Sequence, residues 1–194
     1  MDYNVLAMAA AHVSVSREKI LGMATSANLI QARQFWSEYL TEHSRAFNKL
    51  GNAMETGPER GWFERLKVTR KKDALLCYLK QARDADEHGC LDITPKSRIS
   101  LLIRRQSEGP LNITEFSVKG GQINFKYATP DRVTPIIDFK PASLILSDVI
   151  NGGTTYAVPP THLGSPISQS VLGFAKLGAE FLDHTIAEAR QKFS

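Results

Sequence analysis

The hydrophobic period of this chain changes from helical to alternating at Pro95, and reverts to helical near its end. Before Pro95, the residues Trp36, Leu40, His43, Phe47, Leu50 and Met54 recur at steps of four and three, the mark of a helix with one apolar face. Thr25 or Ser26 is suited to cap its start, and Gly57-Pro58 to end it. A second helix is predicted from near Thr69 or Lys72, with Leu75, Leu76, Leu79 and Ala82 as its stripe. Gly89 is placed to follow its C-cap, because glycine accepts a left-handed backbone, so His88 falls in the last turn. After Pro95 the period becomes two. Residues 99–103, 112–118, 122–127, 135–139, 143–146 and 154–158 read as strands, with Gly120-Gly121 and Asn151-Gly152-Gly153 as turns and Pro159-Pro160 as the closing break. Val171, Ala175, Gly178, Leu182, Ile186 and Ala189 then share a face of a final helix. Gly173 and Gly178 in it signal either close packing or a weaker helix. Residues 1–24 are ambiguous, with a short helix over 5–13.

Segregated elements of this order predict an α+β fold, not an alternating α/β one. Helices over about 26–56, 70–88 and 166–191 form a bundle, and an antiparallel sheet over about 97–158 is inserted between the second and third. The 194 residues are expected to make a single domain, 1–194, with a helical part (1–95 and 161–194) and a β insertion (96–160). An apolar fraction of 42% is enough for a core and excludes a disordered chain. The two cysteines, Cys77 and Cys90, make neither a disulfide framework nor a zinc pattern and read as reduced thiols. No basic start with a long apolar run marks a signal peptide, and no stretch reaches the length of a membrane span. The expectation is a cytoplasmic protein with no membrane partner.

Charge placement says more than its total. Residues 59–72 hold Arg60, Arg65, Lys67, Arg70, Lys71 and Lys72 against Glu59 and Glu64; six minus two is +4, the net charge of the whole chain. A basic stripe with Trp62 and Phe63 beside it suits a polyanion, which makes Arg65, Lys67, Arg70, Lys71 and Lys72 candidate nucleic-acid-binding residues. The competing reading is a solvated loop and first helical turn.

The strongest chemical signal is Arg83-Asp84-Ala85-Asp86-Glu87-His88 at the end of the second helix. A fixed guanidinium and a proton-carrying imidazole together could handle a phosphodiester. On a regular helix, Arg83 and His88 stand about 140° apart around the axis and ~7.5 Å apart along it. They converge only if the last turn unwinds toward Gly89, or if a second copy of the chain brings its own pair alongside. Asp84 lies four residues before His88 and can orient the imidazole. Ordinary exposed ion pairs, Arg83 with Glu87 and Lys80 with Asp84, are the rival explanation of the same residues.

At this motif the chain resembles the HEPN superfamily, small helical bundles with Arg, a polar residue, a few further residues and then His at a helix end. The resemblance covers residues 24–92 and 165–192; the β segment departs from the plain bundle. It implies a homodimer with two motifs facing one another across a cleft and, in active members, RNA cleavage without metal or cofactor. Carried onto this chain, Arg83 is the phosphate and transition-state binder, His88 the general acid/base and Asp84 their polar support. It further implies a toxin or defence role, with RNA and an antitoxin or other protein as partners. The alternative is a non-catalytic interaction or nucleic-acid-binding module of the same architecture.

The other candidates are weaker. His43 sits on an apolar stripe and reads as a core or interface histidine. His12 and His184 have no acidic or cysteine partner at metal-ligand spacing. His162 lies in Pro159-Pro160-Thr161-His162-Leu163-Gly164, which reads as a rigid strand-to-helix turn. Ser14 and Ser16 lack a nucleophile-elbow context. The glycine pairs sit in hairpins and not before helices, so no phosphate loop is present.

Overall fold

A computed structural model of the chain describes residues 1–87, 100–105, 113–119, 122–127, 135–140 and 144–193. The fold is α+β and mainly helical, with antiparallel β structure. By contacts it forms two compact units: Met1–Ser97 with Ser143–Ser194, and Arg98–Ala142.

The larger unit opens with α1 (Tyr3–Thr25), a continuous helix where the sequence suggested only a short one over 5–13. Asp2 caps it, accepting from the amides of Asn4 and Val5 at 2.9 and 3.1 Å. Its buried face is Leu6, Ala9, Val13, Ser16, Ile20 and Met23. The spacing is helical, but Ala9 and Ser16 contribute little hydropathy, which blurs the period. Helix α2 (Leu29–Ala53) is capped by Asn28, whose side chain accepts from the Gln31 amide at 3.0 Å. The expected caps, Thr25 and Ser26, instead donate their hydroxyls to the Leu21 and Gly22 carbonyls and finish α1. The predicted stripe of α2, from Trp36 to Met54, is buried throughout.

Gly57-Pro58 does more than end α2. Gly57 takes φ +69° as N-cap, and Pro58 opens a further helix, α3 (Pro58–Lys72), where proline's missing N–H costs nothing. The basic segment is therefore a whole helix, not a loop and first turn. A single extended residue, Asp73 (φ −73°, ψ 127°), separates α3 from α4 (Ala74–Glu87). Leu75, Leu76, Leu79 and Ala82 are buried as their spacing predicts.

Two short hairpins pack in the same unit. Strands β5 (Val149–Asn151) and β6 (Thr154–Tyr156) pair through Gly152-Gly153, at φ +55° and +78°. Val149 enters the helical core, Tyr78 Oη donates to the Ser147 carbonyl at 2.8 Å, and Asn151 Nδ2 donates to Gln81 Oε1 at 2.8 Å. Residues 145–148, within and beyond a predicted strand, form no regular structure. Strands β7 (Thr161–His162) and β8 (Ser165–Pro166) follow, with Leu163 and Gly164 at φ +47° and +82°. That hairpin occupies the expected start of the last helix, so α5 runs over Val171–Phe193.

Two clusters make the core of this unit. One gathers Trp36, Tyr39, Leu40, Leu75, Tyr78 and Phe174; the other gathers Leu6, Val13, Phe47, Leu50, Trp62 and Ile186. Helix α5 contributes to both, its first half to one and its second half to the other.

In the smaller unit, β1 (Ser100–Arg105) pairs antiparallel with β4 (Pro135–Lys140), Ser100 opposite Lys140. β2 (Ile113–Lys119) pairs with β3 (Gln122–Tyr127), Lys119 opposite Gln122, with a bulge between Ile113 and Glu115. The predicted Gly120-Gly121 turn lies outside the described residues. Among the described residues the β structure is four two-stranded ladders, not one inserted sheet.

Candidate functional site

Helix α4 carries Arg83 and Asp84 at the border of its buried stripe. Ala82 and Ala85 on either side are fully packed, so the two charged side chains emerge half-buried. Asp84 accepts from Lys80 Nζ at 2.6 Å and from Arg83 Nη1 at 3.3 Å. The Lys80–Asp84 pair foreseen one helical turn apart is thus present. Burial works against the ionised Asp84, but Lys80, and after it Arg83, outweigh burial and hold its carboxyl below the usual range. His88, and the side chain of Glu87, lie outside the described residues, so the Arg83–His88, Asp84–His88 and Arg83–Glu87 relationships do too.

The five basic candidates of α3 separate into two environments. Arg65, Lys67, Lys71 and Lys72 are exposed. Lys67 pairs with Glu64 at 2.7 Å and stands 5.3 Å from the centre of the Phe63 ring. Arg70 is only 8% exposed and lies 4.0 Å over the Phe47 ring. Burial lowers its pKa to about 10; Asp84 acts in the opposite sense, and Arg83 adds to the lowering. Those influences place Arg70 in the field of the Arg83–Asp84 pair, across from α4. Trp62 and Phe63, read beside the basic stripe as suited to a polyanion, belong to the core: both are buried, and Trp62 Nε1 donates to Glu188 Oε1 at 2.9 Å. They are not free to stack on bases. A surface groove of about 540 Å³ opens between α2 and α3, lined by Asn48, Asn52, Glu55, Arg60, Glu64 and Lys67 among others.

The histidines settle as follows. His43 is 2% exposed, within 5.7 Å of the Tyr39 ring. Burial first, and then Arg70, lower its pKa to about 3, against a smaller opposing effect of Gly178's backbone. It is a neutral core histidine at physiological pH. His12 Nδ1 meets Glu42 Oε2 at 2.6 Å, a partner 30 residues away that local spacing could not reveal. His162 Nδ1 meets Asp73 Oδ1 at 2.9 Å. His184 is exposed. Ser14 and Ser16 donate back to the Ala10 and Val13 carbonyls of α1. Cys77 is a free thiol, and Cys90 lies outside the described residues.

Two participants escaped the sequence reading. Asp73 was hidden behind Lys71-Lys72, although an aspartate before an apolar helical run is itself a cap signal. Arg70 was grouped with its exposed neighbours; its spacing from Trp62, Phe63 and Leu66 along α3 places it on the inner face. Among the described residues, no group of three or more His, Cys, Asp or Glu side chains could hold a metal ion, and no helix is long and apolar enough to cross a membrane. Comparison of the chain with protein-family models, curated proteins and solved structures gives no match.

Proposed function

We propose that the chain is a HEPN-like endoribonuclease that cleaves RNA through its 2′-hydroxyl at a dimer cleft, in a toxin or defence setting. The observation that carries this reading is the charge at the end of α4. Arg83, held by Asp84 and with Lys80 on the same carboxylate, presents a half-buried guanidinium where the backbone runs toward His88. In a partly desolvated setting a guanidinium attracts an anion more strongly than it would in bulk water.

In the reaction, the 2′-oxygen attacks the adjacent phosphorus, its proton passes to a base, and the 5′-oxygen leaves with a proton from an acid. The products are a 2′,3′-cyclic phosphate and a 5′-hydroxyl. His88 serves as the proton carrier, a role worth about 10²–10⁴ in rate. Arg83 neutralises charge on the phosphorane, and Asp84 holds Arg83 in place. The exposed face of α3, with Arg65, Lys67, Lys71 and Lys72, guides the RNA strand. Two copies of the chain supply two motifs to one cleft.

The test is RNA incubated with the pure protein and a chelator, wild type beside His88→Ala and Arg83→Ala. Cleavage that resists the chelator, spares DNA and drops at least about 100-fold in His88→Ala is expected. Undiminished cleavage by His88→Ala would remove the mechanism. A second reading, a non-catalytic binding module, draws on Asp84 being engaged by both Lys80 and Arg83. RNA bound but left intact by the wild type would favour it.

A further inference from the structure

The groove between α2 and α3 lies outside the mechanism above, which touches only its rim at Lys67. Its volume of about 540 Å³ is that of a ligand site. The floor is apolar because Gly51 lets the Phe63 ring seat against α2. A Cβ at Gly51 would fall 2.7 Å from two carbons of that ring. The sides are polar. Asn48 and Asn52 line the α2 side, both exposed, and among the described residues neither side chain has a hydrogen-bond partner. Glu55 follows them toward the interhelix turn, with Arg60 on the α3 side. Among the described residues these two charges are likewise unpaired. At the far end Lys67 is held by Glu64 at 2.7 Å.

Charge and spacing choose the ligand. Arg60 and Lys67 stand against Glu55 and Glu64, so the charges lining the groove cancel. A phosphodiester strand, negative at every nucleotide, would meet the two carboxylates as well as the cations. A polypeptide backbone is uncharged and carries one donor and one acceptor per residue, the same pair that an asparagine carboxamide offers. Asn48 and Asn52 are four positions apart on a helix, a rise of about 6 Å. In an extended chain, alternate residues face the same side at intervals of about 6.6 Å. The two carboxamides therefore match the repeat of an extended main chain. A helical partner would have its backbone groups already occupied. From Asn48 to Glu55 the helix rises about 10 Å, room for three extended residues at about 3.3 Å each.

We propose that the α2–α3 groove binds an extended segment of another polypeptide, with Asn48 and Asn52 pairing with the main chain of alternate residues. Glu55 and Arg60 select charged side chains of either sign at the end near the interhelix turn. The site stands on the groove alone and does not depend on RNA cleavage.

The test follows the side-chain amide resonances of Asn48 and Asn52 in the full chain labelled with nitrogen-15. The probe is a pool of acetylated, amidated tetrapeptides built from alanine, leucine, serine, lysine and glutamate. The pool is expected to shift both resonances saturably. The same pool with every backbone nitrogen methylated is expected to bind about tenfold more weakly or worse, because the main-chain donors are gone. Asn48→Ala with Asn52→Ala is expected to weaken binding by a similar factor, read from the backbone amide of Gly51, with circular dichroism unchanged because both positions are exposed. Asn48→Asp with Asn52→Asp keeps the shape and removes only the donors, and should also bind more weakly. Unmoved asparagine resonances, equal binding of the methylated pool, or either folded double variant binding as tightly as wild type would each overturn the proposal. A 2′-O-methylated RNA tetranucleotide that shifts the same resonances at lower concentration than the peptides would overturn it too, and would assign the groove to nucleic acid.

Discussion

His162 Nδ1 lies 2.9 Å from Asp73 Oδ1, across 89 positions of sequence. The same carboxylate accepts from the Leu76 amide at 2.9 Å, which caps α4, and from the Leu163 amide at 2.6 Å, which holds the β7–β8 turn. One side chain thus closes the α3–α4 break and pins the lead-in to α5. Burial alone would raise the pKa of Asp73; the two backbone amides and His162 overcome it and hold the carboxyl below its ordinary value of 3.8. A depressed carboxylate stabilises the fold above its unfolded pKa, and that contribution fades as pH falls through the folded value. Asp73→Ala is expected to lose about 2–3 kcal/mol at pH 7, the sum of a cap and a charged hydrogen bond. The difference from wild type should shrink below pH 4. Urea unfolding at pH 7 and pH 3.5 measures both; an equal difference at the two values would rule out the ionised carboxylate as the source.

His43 gives the opposite kind of group, a base kept neutral by burial. Its pKa falls from 6.5 to about 3, so between those values the unfolded chain binds a proton that the folded chain does not. Stability then rises with pH through this window and falls on acidification, by up to about 1.4 kcal/mol per pH unit for one proton. His43→Leu is expected to remove that component, giving a flatter stability profile from pH 6.5 to pH 4 than wild type. Parallel slopes in denaturant titrations would contradict it.

Gly178 shows why one glycine of α5 is needed for packing. A Cβ there would lie 2.6 Å from Leu79 Cδ1 and 3.3 Å from His43 Nε2, and would run into the Tyr39 hydroxyl. Three side chains from α2 and α4 therefore use the space it leaves. Gly178→Ala is expected to cost about 1–3 kcal/mol by overpacking, despite alanine's better helix propensity. Gly173→Ala, where the closest atom is the Ser170 hydroxyl, serves as the comparison and should be milder. Thermal melts of the two variants decide the order.

The exposed cations of α3 lead to a salt-dependence prediction. Replacing Lys71 and Lys72 with glutamine should weaken RNA binding at low salt and reduce the slope of log affinity against log salt by about 0.7 for each phosphate contact removed. Anisotropy titrations at several salt concentrations measure the slope. An unchanged slope would place the RNA away from this face.

Regular apolar spacing made much of the fold legible. The stripes of α2, α4 and α5 were readable because large side chains recur on one face, and those faces are the ones buried. α1 was not, because Ala9 and Ser16 fill its inner face where close packing against α2 leaves room for little else. α3 was missed for another reason: its composition is dominated by exposed charge, and its inner face has only Trp62, Phe63, Leu66 and Arg70. The β7–β8 hairpin was hidden because a left-handed Leu163 is not a residue that announces such a turn.

The amino-acid sequence by itself determined the α+β class, the helical stripes, the basic segment and the Arg83–Asp84 motif, since these depend on residue type and near spacing. Only the tertiary structure decided the rest. It turned the basic segment into a helix with Arg70 on its inner face, removed Trp62 and Phe63 from any solvent role, joined Asp73 to His162 and set Gly178 against Tyr39 and His43. Those outcomes depend on which faces meet and how closely. Burial and pairing between residues far apart in sequence are properties of the packed chain, and no local pattern of residues encodes them.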